Sequence, residues 1–474
     1  MAHEVGAGTL VSGTIYLEGD TLLFLARITN VMHGRLVRAL APVRASRGSP
    51  SSALRELQRR VAGSLAQASE ASGGTSIGSL AEPPSLEAYE EVYRGMEAYF
   101  RGDDSGQYAH LERAARLDTS YTTPLVFLAL ARTYHFQYAV ADTVVRRAER
   151  LNDRLTPAER ALLDHLKAFI RGDRDEAVRA AGRFMTLMPG SQESPLLLAS
   201  VALSTVKPQL ALQALARIDP DRGLNLVAPV YWTYQAVAAA QVNDWPRSLR
   251  MARAGRKRFP NAAAPAEWTA RALARLGRFA EMEQTISEFP AQGNALIGQA
   301  GLAVKVWGEL RASGHDDAAD RLMMRYAGLL DAARADTGRT ALFTRACVLQ
   351  RAGRVLEARA VFVALAARDS GFDRLRDLAQ VGIASAKLGD RDGAARAELA
   401  LAASSPRYQR GIPKLLQAEI AAASGDPERA VLLLREGLVL GVGLESLGGA
   451  LLGNADLEPL FDYPAFRELL KPTG

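Results

Sequence analysis

The chain has 474 residues, 48% of them hydrophobic and 23% charged, with a formal net charge of +6. That length exceeds one compact core and suits two domains or a repeat array, and the composition excludes global disorder. Arginine supplies 51 of the 58 basic residues, spread among 52 acidic ones with no block of five like charges, so the positive balance does not point to nucleic acid.

Residues 9 to 43 are the one part that does not read as helix. Val11, Ile15 and Leu17 alternate with Ser12, Thr14 and Tyr16, the period of a strand. Glu18-Gly19-Asp20 reads as a turn, and Leu22, Phe24, Ala26 and Ile28 alternate through a second strand. His33-Gly34 makes the next turn, and Arg35 to Val43 reads as a third strand. Ser49-Pro50 then opens a helix, serine as N-cap and proline in the first helical position, with Leu54, Leu57, Val61 and Leu65 on one face. Three strands and one helix cannot close a core unaided.

The stretch VSGTIYLEGDTLLFLARITNVMHGRLVRAL, with its G-x5-GD hairpin, resembles the second half of the TolB-like (FlgO-like) α/β domain that precedes repeat arrays in many bacterial proteins. The resemblance implies a strand and helix ahead of this point, with residues 1–8 as the tail of that helix. Residues 1–70 are therefore expected to be a partial α/β segment lacking its front half. Longer members of that family carry a kinase, cyclase or winged-helix regulator upstream, so signalling is implied by association alone. Ala71 to Pro84 (ASGGTSIGSLAEPP) reads as a flexible linker.

From Ser85, a plausible N-cap, one template repeats. Its clearest copy is LAQVGIASAKLGDRDGAARAELALAASSP, Leu378 to Pro406: two short helices joined at Gly389-Asp390. Turn anchors fall at Gly102, Gly172, Asn243, Gly277, Gly314, Gly353, Gly389 and Gly425, separated by 70, 71, 34, 37, 39, 36 and 36 residues. The two long gaps are double units with turns expected near Gln137 and Lys207-Pro208. Ala177, Ala319, Ala358, Ala394 and Ala430 stand five after an anchor; Gly95, Ala236, Ala270, Ala346, Gly382 and Ala418 stand seven before one. Small residues there let paired helices approach closely. Pro189, Pro260 and Pro406 stand seventeen after, where a helix cannot continue. With Trp232 eleven before Asn243, the pattern resembles the tetratricopeptide (TPR) family. The expected fold is mainly α: a TPR-like α-solenoid, a right-handed superhelix of about ten helix pairs over 85–443, with capping helices over 444–474 that include Asn454–Leu460 and Pro464–Leu470.

The sequence offers no chemistry. The six histidines (His3, His33, His110, His135, His165, His315) are isolated, without a second ligand at i+3 or i+4. There is no G-x4-GK[ST] loop and no G-x-S-x-G elbow. Cys347, the single cysteine, cannot form an intramolecular disulfide and reads as a packing residue. Acid pairs such as Asp316-Asp317 read as helix-start charges, and Tyr231, Trp232, Tyr234, Trp268 and Trp307 as core. The longest apolar runs, such as Pro195–Val206, fall far short of a bilayer span, and the first residues lack the pattern of a secretory leader.

The TPR resemblance implies a concave face along the first helix of each pair, at positions thirteen, ten, six and three before the turn. Those slots hold Tyr89, Tyr99, Glu159, Phe169, Thr233, Glu267, Arg271, Arg311, Phe343, Gln350, Arg376 and Glu419. Arg271, Arg311 and Arg376 suit an acidic group on an extended segment. The expected function is a non-catalytic protein–protein interaction scaffold without cofactor or metal, binding a protein or peptide partner in the groove, and cytoplasmic, or extracytoplasmic if an upstream membrane-spanning part is missing from the sequence. The alternative expectation is the non-catalytic remainder of a multidomain bacterial sensor kinase or transcription regulator.

Overall fold

The computed structural model describes residues 7–31, 35–71, 85–100, 103–135, 137–290, 293–333, 336–404, 408, 411–442 and 453–472. The expected linker beyond Ala71, the His33-Gly34 turn, His3, Gly102 and Pro406 lie outside them.

Four strands open the chain: β1 (Thr9–Glu18), β2 (Thr21–Asn30), β3 (Arg35–Ala39) and β4 (Val43–Ser46). β1 and β2 pair antiparallel from Glu18↔Thr21, beside the Gly19 turn (φ +64°), out to Thr9↔Asn30. The third strand expected over 35–43 is instead two. β3 pairs with the far half of β2 and β4 with its near half. Leu40 still donates to Ala26 O (2.9 Å), but Pro42 has no N–H to continue the ladder. Helix α1 (Ser51–Ala71) starts just after Pro50 and brings Ala53 and Leu57 onto Phe24, Leu22 and Val43. It covers β2 and β4 and leaves β1 bare. Ile15 pairs with Phe24 on the same face, yet Ile15 is 61% exposed and Phe24 3%.

The described residues then form ten helix pairs. They are α2 (Leu86–Phe100) with α3 (Asp104–Leu117), α4 (Thr123–Tyr134) with α5 (Tyr138–Glu149), α6 (Pro157–Arg171) with α7 (Arg174–Leu187), and α8 (Glu193–Ser204) with α9 (Pro208–Leu215). Next come α10 (Val230–Gln241) with α11 (Trp245–Arg258), α12 (Ala263–Arg275) with α13 (Phe279–Ser287), and α14 (Ala295–Arg311) with α15 (Asp316–Ala332). The last three are α16 (Arg339–Arg351) with α17 (Val355–Arg368), α18 (Gly371–Lys387) with α19 (Arg391–Ala402), and α20 (Ile412–Ala423) with α21 (Pro427–Val439). A 3-10 turn (Ala455–Leu460) and α22 (Pro464–Leu469) follow. This is a mainly α solenoid of TPR-like helix pairs.

The repeated turn has a local cause. The anchor residue adopts the left-handed conformation, as Gly389 does at φ +77°, and ends the first helix. Where an aspartate follows the anchor it caps the second helix: Asp390 accepts from Gly393 N–H at 2.8 Å, and Asp426 does the same for Arg429 N–H at 3.1 Å. In the α8–α9 pair the left-handed residue is Val206 (φ +55°), a β-branched residue that carries no turn signal in sequence.

The chain divides into two compact units: Met1–Lys167, Arg179–Ser194 and Asp221–Val227 in one, and Ala168–Val178, Pro195–Pro220 and Ala228–Gly474 in the other. In the second unit the first helices of successive pairs pack on one another, α10 on α12, α12 on α14, α14 on α16 and α18 on α20. Close spacing on that side puts the first helices on the inside of the curve.

Candidate binding groove

The inner face of the second unit is built on arginines laid over aromatic rings. Trp232, Trp268 and Trp307 are buried, as core residues should be. Arg271 lies over Trp268 (4.2 Å), Arg311 and Arg351 over Trp307 (5.3 and 5.5 Å), and Arg376 over Phe343 (4.5 Å). Each ring fixes a guanidinium that would otherwise lose several rotamers on binding.

One of these charges, Arg271, is already held by the floor together with its neighbour Arg275. Glu309 of α14 is fully buried between Arg271, which donates through Nε (2.9 Å) and a terminal nitrogen (2.5 Å), and Arg275, which donates through Nε (2.7 Å). Burial pushes the Glu309 carboxyl up, but the two guanidinium charges and their hydrogen bonds prevail and hold it below the ordinary carboxylate range. Such a triad is costly to break because removal of one member strands the other charges.

Arg311 and Arg351 meet the chain's own tail. Residues 453–458 lie on the inner face and between them contact five first helices. Gly453 lies against Arg271 and Glu309, where an added Cβ would stand 2.9 and 2.5 Å from their polar atoms. Its carbonyl sits where a Cβ on Gly308 of α14 would overlap it. Asn454 donates to Glu419 of α20 at 2.9 Å. Asp456 receives Arg351 of α16 at 2.7 Å and Gln380 of α18 at 2.7 Å, and Gln350 backs Gln380 with a 3.0 Å bond. Glu458 stands 3.3 Å from Arg311 of α14. The intervening Leu457 and Leu460 point the other way, fully buried with Phe466 against α20 and α21. Asn454 caps its own turn by accepting from Asp456 N–H (3.0 Å), so the segment's shape is locally set.

Among the slots expected from sequence, Arg271, Arg311, Gln350 and Glu419 are brought together around this tail. Arg376 and Phe343 stack beside it, and Arg376 has no carboxylate within ion-pair distance among the described residues. Glu267 is held by Lys305 at 2.7 Å, and Thr233 is partly exposed on α10. Phe169 is buried. In the first unit Glu159 is buried too. It accepts from Thr122 (2.8 Å), Thr123 (2.9 Å) and Thr156 N–H (2.9 Å), so it closes a Thr-x-x-Glu capping box at the start of α6 rather than facing a ligand. Tyr89 is buried and Tyr99 41% exposed on α2.

Sequence reasoning passed over Arg275, Glu309, Arg351 and Gln380, and gave Asn454, Asp456 and Glu458 no role beyond end capping. One signal was present: a cation recurs two before the turn, as Arg275, Arg351 and Lys387. Cys347 is buried beside Arg351, and burial pushes its thiol up to about 11, so it is protonated at neutral pH. Among the described residues no group of three or more His, Cys, Asp or Glu is placed to hold a metal ion.

No family model matches the sequence. No curated protein matches it either. Solved structures are similar to the chain at low identity. A tetratricopeptide repeat protein from Parabacteroides merdae is 13% identical, over 56% of this chain and all of that one, with a TM-score of 0.33. Yeast Tom70 is 13% identical over 82% of this chain and 92% of its own, with a TM-score of 0.37. The APC/C hetero-tetramer Cut9–Hcn1 is 14% identical over 79% and 76%, with a TM-score of 0.30. Likeness at this level says nothing of what this chain binds. No helix among the described residues is long and apolar enough to cross a membrane.

Proposed function

We propose that the protein is a non-catalytic protein–protein interaction scaffold whose second unit grips an extended, acidic segment of a partner along its first helices. The observation that supports this reading is the seat of residues 453–458: a short acidic stretch lying across α12, α14, α16, α18 and α20, its carboxylates met by arginine and glutamine side chains and its Asn454 amide by Glu419. Arginine suits the task, since its planar fork meets a carboxylate in a fixed geometry. The TolB-like resemblance of the N-terminal strands supports placing the scaffold in a bacterial regulatory assembly.

The test is affinity capture with the full chain, followed by binding measurements on the partner recovered. Arg311→Ala with Arg376→Ala should weaken that partner more than tenfold without loss of helicity. A control triple on the second helices, Arg359→Ala, Arg396→Ala and Arg429→Ala, should stay within about threefold, because Arg359 and Arg429 serve internal ion pairs with Asp390 and Glu398. Equal losses from both sets would replace the groove with diffuse electrostatics.

A further inference from the structure

The tail performs two tasks that an end cap alone would not require. Covering the last helix pair uses the tail's apolar side chains, with Leu457, Leu460 and Phe466 buried and Phe461 and Leu469 packed beside them. Yet the same segment turns Asp456 and Glu458 toward the groove, where Arg351 is 3% exposed and Gln380 5%. Gly308 and Gly453 also permit a backbone-to-backbone approach that any side chain would block. The seat has an opposing element. Asp456 lies near the buried carboxyl of Glu419, so the seat places two carboxyl groups together and only one of them can readily carry a charge.

We propose that residues 453–458 are a resident ligand of the groove, which a partner must displace, and that the partner's contacting segment repeats its chemistry: an amide side chain, a carboxylate two residues later and a second carboxylate two after that. This rests on the reading of the groove as a partner site. Arg351 and Gln380 take the first carboxylate, Arg311 the second, and Glu419 the amide. While the resident segment is seated, the groove is closed to weak competitors and open to a segment that makes the same contacts with a better fit.

The probe is a fluorescein-labelled peptide with the sequence of residues 453–463, added to the full chain. Asp456→Asn with Glu458→Gln in the chain keeps Leu457, Leu460 and Phe466 and loosens only the groove contacts. The peptide should bind that variant at least tenfold more tightly than the wild type. Adding Arg351→Ala, or changing the peptide's aspartate at position 456 to asparagine, should abolish the gain. A second measurement needs only the wild-type chain: hydrogen exchange within residues 453–460 should accelerate at least tenfold when the peptide saturates the groove. Equal peptide affinity for the wild type and the variant, or unchanged exchange with peptide bound, overturns the resident ligand and leaves the groove as a partner site. Failure of the peptide to bind any chain also overturns it; the captured partner and its dependence on Arg311 and Arg376 then decide separately whether the groove reading stands.

Discussion

Gly382 and Gly389 stand seven residues apart in one repeat and are glycines for different reasons. A Cβ at Gly382 would overlap Ile420 Cδ1 and stand 3.0 Å from Ala397 Cβ, so the constraint is packing between α18, α19 and α20. Around Gly389 there is open space, and its constraint is φ +77°. Gly382→Ala should cost about 1–3 kcal/mol by overpacking, whereas Gly389→Ala should cost about 1–2 kcal/mol by backbone strain. Gly389→Asn should recover part of the second loss, since asparagine tolerates the left-handed region, and Gly382→Asn should recover none of the first. Urea midpoints for the four variants check this. A rescue by asparagine at position 382 would mean that its backbone, not its neighbours, sets the requirement.

The tail turn is the element through which pH reaches the groove. Glu419 is buried on α20. Burial and then the Asp456 charge raise its carboxyl to about 8, against the lowering influence of Asn454, Arg376 and Arg351. The folded state therefore holds a proton on Glu419 that the unfolded chain has released above the ordinary value of 4.5. Its contribution to stability is full below that ordinary value and declines as pH rises, until it is lost above about 8. The urea midpoint of the second unit should fall between pH 6 and pH 9, with exchange in residues 453–460 rising in parallel. Glu419→Gln keeps the hydrogen-bonding shape without the titration and should flatten this dependence. A slope of the same size in Glu419→Gln would assign it to another group.

At the scale of the second unit, the array returns on itself. The turn after α6 meets the end of α21, where a Cβ on Gly172 would overlap Leu440 O and one on Gly441 would overlap Gly172. Both glycines are left-handed, at φ +82° and +87°. A cleft of about 840 Å³ lined by Arg171, Arg174, Lys207 and Leu438 lies at this junction. In an open repeat array each pair feels only its neighbours, and damage stays local. Closure couples the first and last parts of this unit. Gly441→Ala should therefore accelerate hydrogen exchange in residues 168–178 as well as in 430–442. Acceleration confined to 430–442 would show that the contact closes nothing.

The helix pairs were legible because each is set locally. A left-handed residue ends one helix, an aspartate caps the next, and small residues seven before and five after the turn let the two lie close. These features fall within one repeat: the left-handed glycine recurs with its period at Gly277, Gly314, Gly353, Gly389 and Gly425, and the capping aspartate follows it at Gly389 and Gly425. Val206 escaped because tertiary packing can force a left-handed turn on a residue that does not favour it. The two strands β3 and β4 were merged because period-2 alternation continues past Pro42 even where the ladder stops. The groove was half legible. Arg311, Gln350, Arg376 and Glu419 occupy repeat positions that a period can locate, and Arg351 and Gln380 lie a residue away from such positions. What the period could not contain is the contact between Asp456 and Arg351, 105 residues apart, or between Gln380 and Asp456, 76 apart. The tail lies outside the repeat, and its place depends on the curvature summed over several pairs, which only the assembled unit sets.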